Sequence, residues 1–224
     1  MAYLFNKLVK EHFDSNKFKI SKLGSTKHWN VLRLYDIMDK NYYVAKGILH
    51  IEGDIQMGPK QMNTAYNNET NILSRLPSWW GLYLKDSFKS NPFRVIVTPE
   101  ILNCNWSLYK GDDTLIAEKI YNQLEWLHSN KIAHNDLELK NILLSCDNKN
   151  AIIIDFEKAI IGASILSMKN DYKTIIDSLK HNEKTHGIAT KLEMLYASKK
   201  RKLTRRLLAT TKTKKIKPNK FNKI

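Results

Sequence analysis

Residues 127–157 constrain this chain more than any other stretch. Leu127-His-Ser-Asn-Lys-Ile-Ala-His-Asn-Asp-Leu-Glu-Leu-Lys-Asn-Ile-Leu-Leu144 sets a polar turn, His134–Lys140, between two apolar segments. A hairpin-like Cys146–Asn150 then leads into Ala151-Ile-Ile-Ile-Asp155, a short β-branched run that reads as a buried strand ending on a carboxylate. Ahead of the turn, Asp113 can cap a helix running to about Ser129, because Leu115, Ile116, Ile120, Leu124 and Leu127 follow helical spacing. Polar side chains between a long apolar helix and a buried strand are held in place by a core on both sides.

The rest of the chain divides around this stretch. Phe18–Leu23, Trp29–Tyr35, Tyr42–Ile48 and Arg94–Thr98 have strand-like spacing, with a turn at Asp36–Asn41. A helix is predicted from about Gln61 to Leu76, closed by Pro77. Later helices are predicted at 170–181 and about 187–208. We therefore expect an α+β fold: a strand-rich region over 1–100, a reduced helical region over 101–198, and a basic tail over 199–224, partly disordered and most so beyond Thr210.

Charge is concentrated in that tail. Of 37 basic residues, twelve lie in 199–224 with no acidic residue, leaving 25 basic against 22 acidic in the body. The overall charge of +15 therefore describes a terminus, not the folded surface. Such a segment points to contact with RNA or another polyanion through phosphates, with nuclear import or an anionic membrane as rivals and a plain solvated tail as the bland reading. Tyr196 and Phe221 are isolated, so base stacking has no support. A hydrophobic content of 42% excludes wholesale disorder. Apolar runs such as Ala159–Leu166 are core-sized, well short of the roughly 18 residues a membrane span needs. The N-terminus lacks a signal-peptide pattern, and Cys104 and Cys146 read as reduced thiols in a cytoplasmic setting.

Three side chains in the central stretch suit phosphoryl transfer. Asp136 can orient a hydroxyl and accept its proton; Asn141, five residues on, offers a neutral oxygen; Asp155 offers a charged one. Asn141 and Asp155 form an oxygen donor pair of the kind that holds Mg²⁺ alongside substrate phosphates. The competing structural reading makes Asp136 and Asn141 turn formers and Asp155 a strand-ending cap.

The pattern resembles the protein-kinase-like superfamily, whose loop reads His-x-Asp-x-x-x-x-Asn and whose metal motif is Asp-Phe-Gly. Leu23-Gly-Ser-Thr-Lys-His-Trp-Asn-Val31 stands in the register of the family's glycine-rich loop, keeping only Gly24 and Val31. Val44-Ala-Lys46 is similar to the phosphate-binding strand lysine. Glu69 is placed like the helix glutamate that fixes that lysine, and Pro99-Glu100-Ile-Leu resembles the hinge whose backbone holds adenine. The resemblance implies a two-lobed fold, ATP and Mg²⁺ as cofactors, Lys140 as a group stabilising transferred charge, and an unidentified phosphoacceptor. On bland readings Lys46 is an edge-strand solubility residue, Glu69 a surface charge, and Gly24 a turn glycine.

Four departures narrow the resemblance. Asn135 replaces the arginine before the aspartate, Glu138 stands where a lysine is usual, Glu157 replaces the glycine of Asp-Phe-Gly, and no Ala-Pro-Glu follows. His-Asn-Asp with Asp-Phe-Glu is similar to choline and aminoglycoside kinases and to compact fungal kinase-like proteins. The short C-terminal part with its basic extension is similar to the small atypical kinase of the KEOPS complex. The expectation is an atypical protein kinase or kinase-like ATPase; a small-molecule kinase and a nucleotide-binding pseudokinase or nucleic-acid-binding adaptor are the alternatives.

Overall fold

A computed structural model describes residues 2–25, 29–49, 59–90 and 93–214. Alternating apolar residues build five strands: β1 (Phe18–Ser25), β2 (Trp29–Asp36), β3 (Tyr42–Leu49), β4 (Asp86–Ser90) and β5 (Phe93–Pro99). They form one antiparallel sheet in the order β1-β2-β3-β5-β4, so β3 is the central strand. Helix α1 (Ala2–His12), which strand-and-turn reasoning passed over, lies against one face. Its Phe5 and Val9, with Phe13, bury against Leu32, Leu34, Tyr43, Ala45, Phe93, Val95 and Val97. The approach is close enough that a Cβ on Gly47 would sit 2.2 Å from the Phe5 ring, which is why β3 carries a glycine there.

The opposite face of the sheet meets α2 (Pro59–Leu73) and the helical part of the chain. That part comprises α3 (Asp113–Ser129), α4 (Ile165–Lys180) and α5 (His186–Lys214), with the short strands β6 (Asn103–Cys104), β7 (Ile132–Ala133), β8 (Ile142–Ser145), β9 (Ala151–Ile153) and β10 (Ile160–Ile161). A second core runs from Ile72 and Leu73 of α2 through Trp80 to Ile116, Ile120 and Leu124 of α3, Phe156, and Ile175 and Leu179 of α4. Strand β9 is buried at the edge of its sheet, and its backbone is completed by side chains. Gln123 donates to Ala151 O at 2.6 Å and accepts from Ile153 N at 2.8 Å, while Trp80 Nε1 donates to Ile153 O at 3.1 Å.

Several expectations are corrected. Asp112, not Asp113, caps α3, accepting from Thr114 N at 2.8 Å. The run Ala159–Leu166 is not core throughout: Ile160, Ile161, Ile165 and Leu166 are exposed. Cys104 and Cys146 are not reduced thiols but a disulfide, joining β6 to the β8–β9 hairpin across a sequence separation of 42. The helix expected at about 187–208 runs on as α5 to Lys214, past the Thr210 where disorder was expected; residues 215–224, and Thr26, Lys27 and His28 of the first hairpin, lie outside the described residues. Among the described residues, no helix is long and apolar enough to cross a membrane.

Candidate functional site

Between the sheet and the helical part lies a cavity of about 540 Å³. Leu23 and Val44 of the sheet and Leu143 and Ile154 opposite supply apolar walls; Thr98–Asn103 form one edge; Lys46, Glu69 and Asp155 supply charge. Lys46 stands on the central strand, where no edge-strand role exists, and Glu69 is only 5% exposed, so it is no surface charge. The Lys46 Nζ donates to Asp155 Oδ1 at 2.7 Å and lies 3.4 Å from Glu69 Oε2.

This grouping shapes its own protonation. Burial works against the Lys46 ammonium, but the carboxylates of Glu69 and Asp155 more than offset it and raise its pKa. Burial pushes the Glu69 carboxyl up to about 7, opposed by Lys46 and helped by Asp155 and Glu157. Glu157 is raised as well, first by burial and then by Asp155, and its Oε2 is buried without a hydrogen-bond partner. Lys46 thus stands among three carboxylates, with Lys158 also acting on Glu157 and Lys140 on Asp155.

Asp155 follows β9 with a φ of +68°, a left-handed backbone unusual for a residue with a side chain. Ile154 N, one residue earlier, donates to Asn141 O at 3.0 Å, which ties the two proposed donor residues through adjacent backbone. The Asn141 amide nitrogen is spent on Asp136, donating to its backbone oxygen at 2.7 Å and to Oδ2 at 3.3 Å. The amide oxygen is then the acceptor left for a cation. Among the described residues no cluster of three His, Cys, Asp or Glu stands ready for a metal.

The loop bearing Asp136 is held from beneath. Asp171, on the buried stripe of α4 and 2% exposed, accepts from His134 N and Asn135 N, both at 2.9 Å, and meets His128 Nε2 at 2.9 Å. His134 is buried and its pKa is lowered chiefly by that burial, so the neutral ring's Nε2–H donates to Ile154 O at 2.9 Å. Asn135 takes a φ of +59°, a conformation asparagine tolerates, and its side chain donates to Lys158 O at 3.2 Å. Asp136 itself meets Lys158 Nζ at 3.0 Å; burial pushes its carboxyl up, but Lys158 outweighs that and the pKa is lowered.

Other expected residues are placed differently. Lys140 pairs with Glu138 at 2.8 Å, and its side chain is largely exposed. Glu100 lines the cavity, but its N–H is taken by Tyr42 O at 2.9 Å and its carboxylate by Arg33, at 2.6 Å from Nε and through a second arm from Nη2. Its own donor is thus spent within the fold, and adenine would have to use the neighbouring backbone. Gly24 and Val31 face each other across β1 and β2, and Val31 is not among the described cavity walls. Sequence reasoning missed Asp171 as a support and Lys158 altogether. The first had a signal, a carboxylate on the same helical stripe as Ile175 and Leu179; the second had none. No protein-family model matches the chain, and no curated protein matches it in sequence.

Proposed function

We propose that this chain is an ATP-dependent phosphotransferase of the kinase-like type, with two lobes around an Mg-ATP cleft. The observation that carries the reading is the convergence of Lys46, Glu69 and Asp155 at a cavity whose neighbouring loop presents Asp136 and Asn141. Lys46, positioned by Glu69, binds phosphate oxygens. Asn141 and Asp155 would hold Mg²⁺, whose charge would offset that of the phosphate. Asp136 orients the acceptor hydroxyl and takes its proton. The apolar walls formed by Leu23, Val44 and Leu143 suit a purine, and residues 101–103 offer backbone for its edge.

A second reading, a small-molecule acceptor, rests on one feature. Helix α4 begins at Ile165, soon after Asp155, and Ile160 and Ile161 are already paired with β7, which leaves little chain for a peptide-docking segment. Transfer of labelled γ-phosphate to generic protein, choline, an aminoglycoside and tRNA distinguishes the acceptors. Asp136→Ala is expected to cut turnover by roughly 10²–10⁴, and Asp155→Ala to abolish productive Mg-ATP binding. Transfer that survives Asp155→Ala would overturn the reading.

A further inference from the structure

Two lysines stand near Asp136, and they are held in different ways. Lys140 is on the same loop as Asp136 and is engaged by Glu138 at 2.8 Å. Lys158 comes from the segment after β9, and its ammonium reaches Asp136 Oδ2 at 3.0 Å. Three consecutive carbonyls of that segment each accept a side-chain amide. Asn68 of α2 donates to Ala159 O at 2.9 Å and to Glu157 O at 3.4 Å, and Asn135 donates to Lys158 O at 3.2 Å. Phe156 is fully buried just before it, and β10 pairs with β7 just after it, Ile160 opposite Ala133 and Ile161 opposite Ile132. The backbone of Lys158 is therefore fixed from three sides, while its side chain is 57% exposed and keeps the mobility of a four-carbon stem.

We propose that Lys158, rather than Lys140, is the cation that meets the transferring phosphoryl group, and that its pairing with Asp136 is the resting form of that contact. The inference rests on the phosphotransferase reading above. In transfer, the acceptor oxygen forms its bond to the γ-phosphorus as the bond to the β,γ-bridging oxygen breaks. ADP leaves with that electron pair, and the acceptor proton passes to Asp136. Charge on the phosphoryl oxygens draws the Lys158 ammonium away from Asp136, so one movement supplies a counter-charge to the phosphate and clears the carboxylate for the acceptor. A nucleotide lacking the γ-phosphate makes no such demand. Lys158 is thus assigned as a residue that distinguishes ATP from ADP.

The test compares Lys158→Met, Lys158→Arg and Lys140→Met with the wild type, all first checked for unchanged melting temperature. Titration calorimetry with Mg-AMPPNP and with Mg-ADP is the readout independent of turnover. Lys158→Met is expected to weaken the triphosphate about tenfold and the diphosphate less than about twofold, and to lower kcat about 10- to 100-fold with little change in acceptor KM, as expected for a contact made to the γ-phosphate on binding and strengthened in the transition state. Lys158→Arg should restore most of both, and Lys140→Met should lose at least about tenfold less in kcat than Lys158→Met. The proposal is overturned if Lys158→Met binds both nucleotides as the wild type does, if it turns over faster than the wild type (Lys158 would then block Asp136), or if Lys140→Met carries the larger loss. A wild type that binds neither nucleotide overturns the phosphotransferase reading itself, and this proposal with it.

Discussion

The two walls of the cavity are built to different standards. On the helical side, the loop of Asp136 and its neighbours are fixed by polar partners, the most buried of them Asp171 and His134: Asp171 under His134 and Asn135, His134 on Ile154 O, Asn68 and Asn135 on the segment after Asp155. Among the described residues of the sheet side, Lys46 has comparable support, held by Glu69 and Asp155. Val31 is not among the described cavity walls, and Glu100 is committed to Arg33 and Tyr42. The contrast teaches that the fold concentrates its polar order around the loop of Asp136 and Asn141. On the phosphotransferase reading proposed above, the grip on the nucleotide would then rest mainly on Lys46 and on shape.

The sharpest way to break the contrast is to remove the support beneath the loop. Asp171→Ala would leave the buried N–H of His134 and the partly buried N–H of Asn135 without their acceptor, and we expect a loss of about 3–5 kcal/mol of stability together with loss of turnover. Thermal unfolding and phosphate transfer measure both; a stable, active Asp171→Ala protein would show that the loop needs no such support. Next in size is the disulfide, which links the edge of the cavity near Asn103 to the β8–β9 hairpin. Closing a loop of this length is worth up to about 4 kcal/mol in the chain-entropy account, so Cys104→Ser should lower the melting temperature by several degrees. Thiol titration of the denatured, unreduced wild type should find no free thiol.

Glu69 gives a pH signature. Its carboxyl is raised from 4.5 to about 7, so the folded protein binds more protons there than the unfolded chain does between those values. In metal-free buffer this group's contribution to stability is therefore present below pH 4.5 and is lost as pH rises towards 7. The Lys46–Glu69 pair, by contrast, needs the ionised carboxylate, so Mg-ATP affinity should rise over the upper part of that window. Glu69→Gln should flatten both trends; trends that persist in the variant would assign them to other groups. The smallest effect belongs to the sheet-side hairpin: Val31→Ala should change Mg-ATP affinity by less than about threefold, below 1 kcal/mol. A loss matching that of Lys46→Met would restore the hairpin to the nucleotide site.

Much of the fold was legible because it rests on periodicity. β1, β2, β3 and β5 and the apolar stripe of α3 follow from local spacing. Helix α1 was overlooked although Phe5 and Val9 stand four apart, and its partner is a sheet face assembled from strands far along the chain. The candidate site was legible where one loop sets the spacing: Asn141, five residues after Asp136, donates to it. It was illegible where the arrangement depends on which neighbour claims a side chain: nothing local says that Glu138 engages Lys140 while Lys158 reaches Asp136, or that Arg33 captures Glu100. The pairing of Cys104 with Cys146 likewise depends on β6 lying beside β8, a tertiary fact.

The most direct test of the central claim is titration calorimetry of the wild type and Asp155→Asn with ATP, with and without Mg²⁺. Binding that requires Mg²⁺ in the wild type and is lost in Asp155→Asn is the expected result. Binding of equal strength in chelator, or unaltered in the variant, would contradict it.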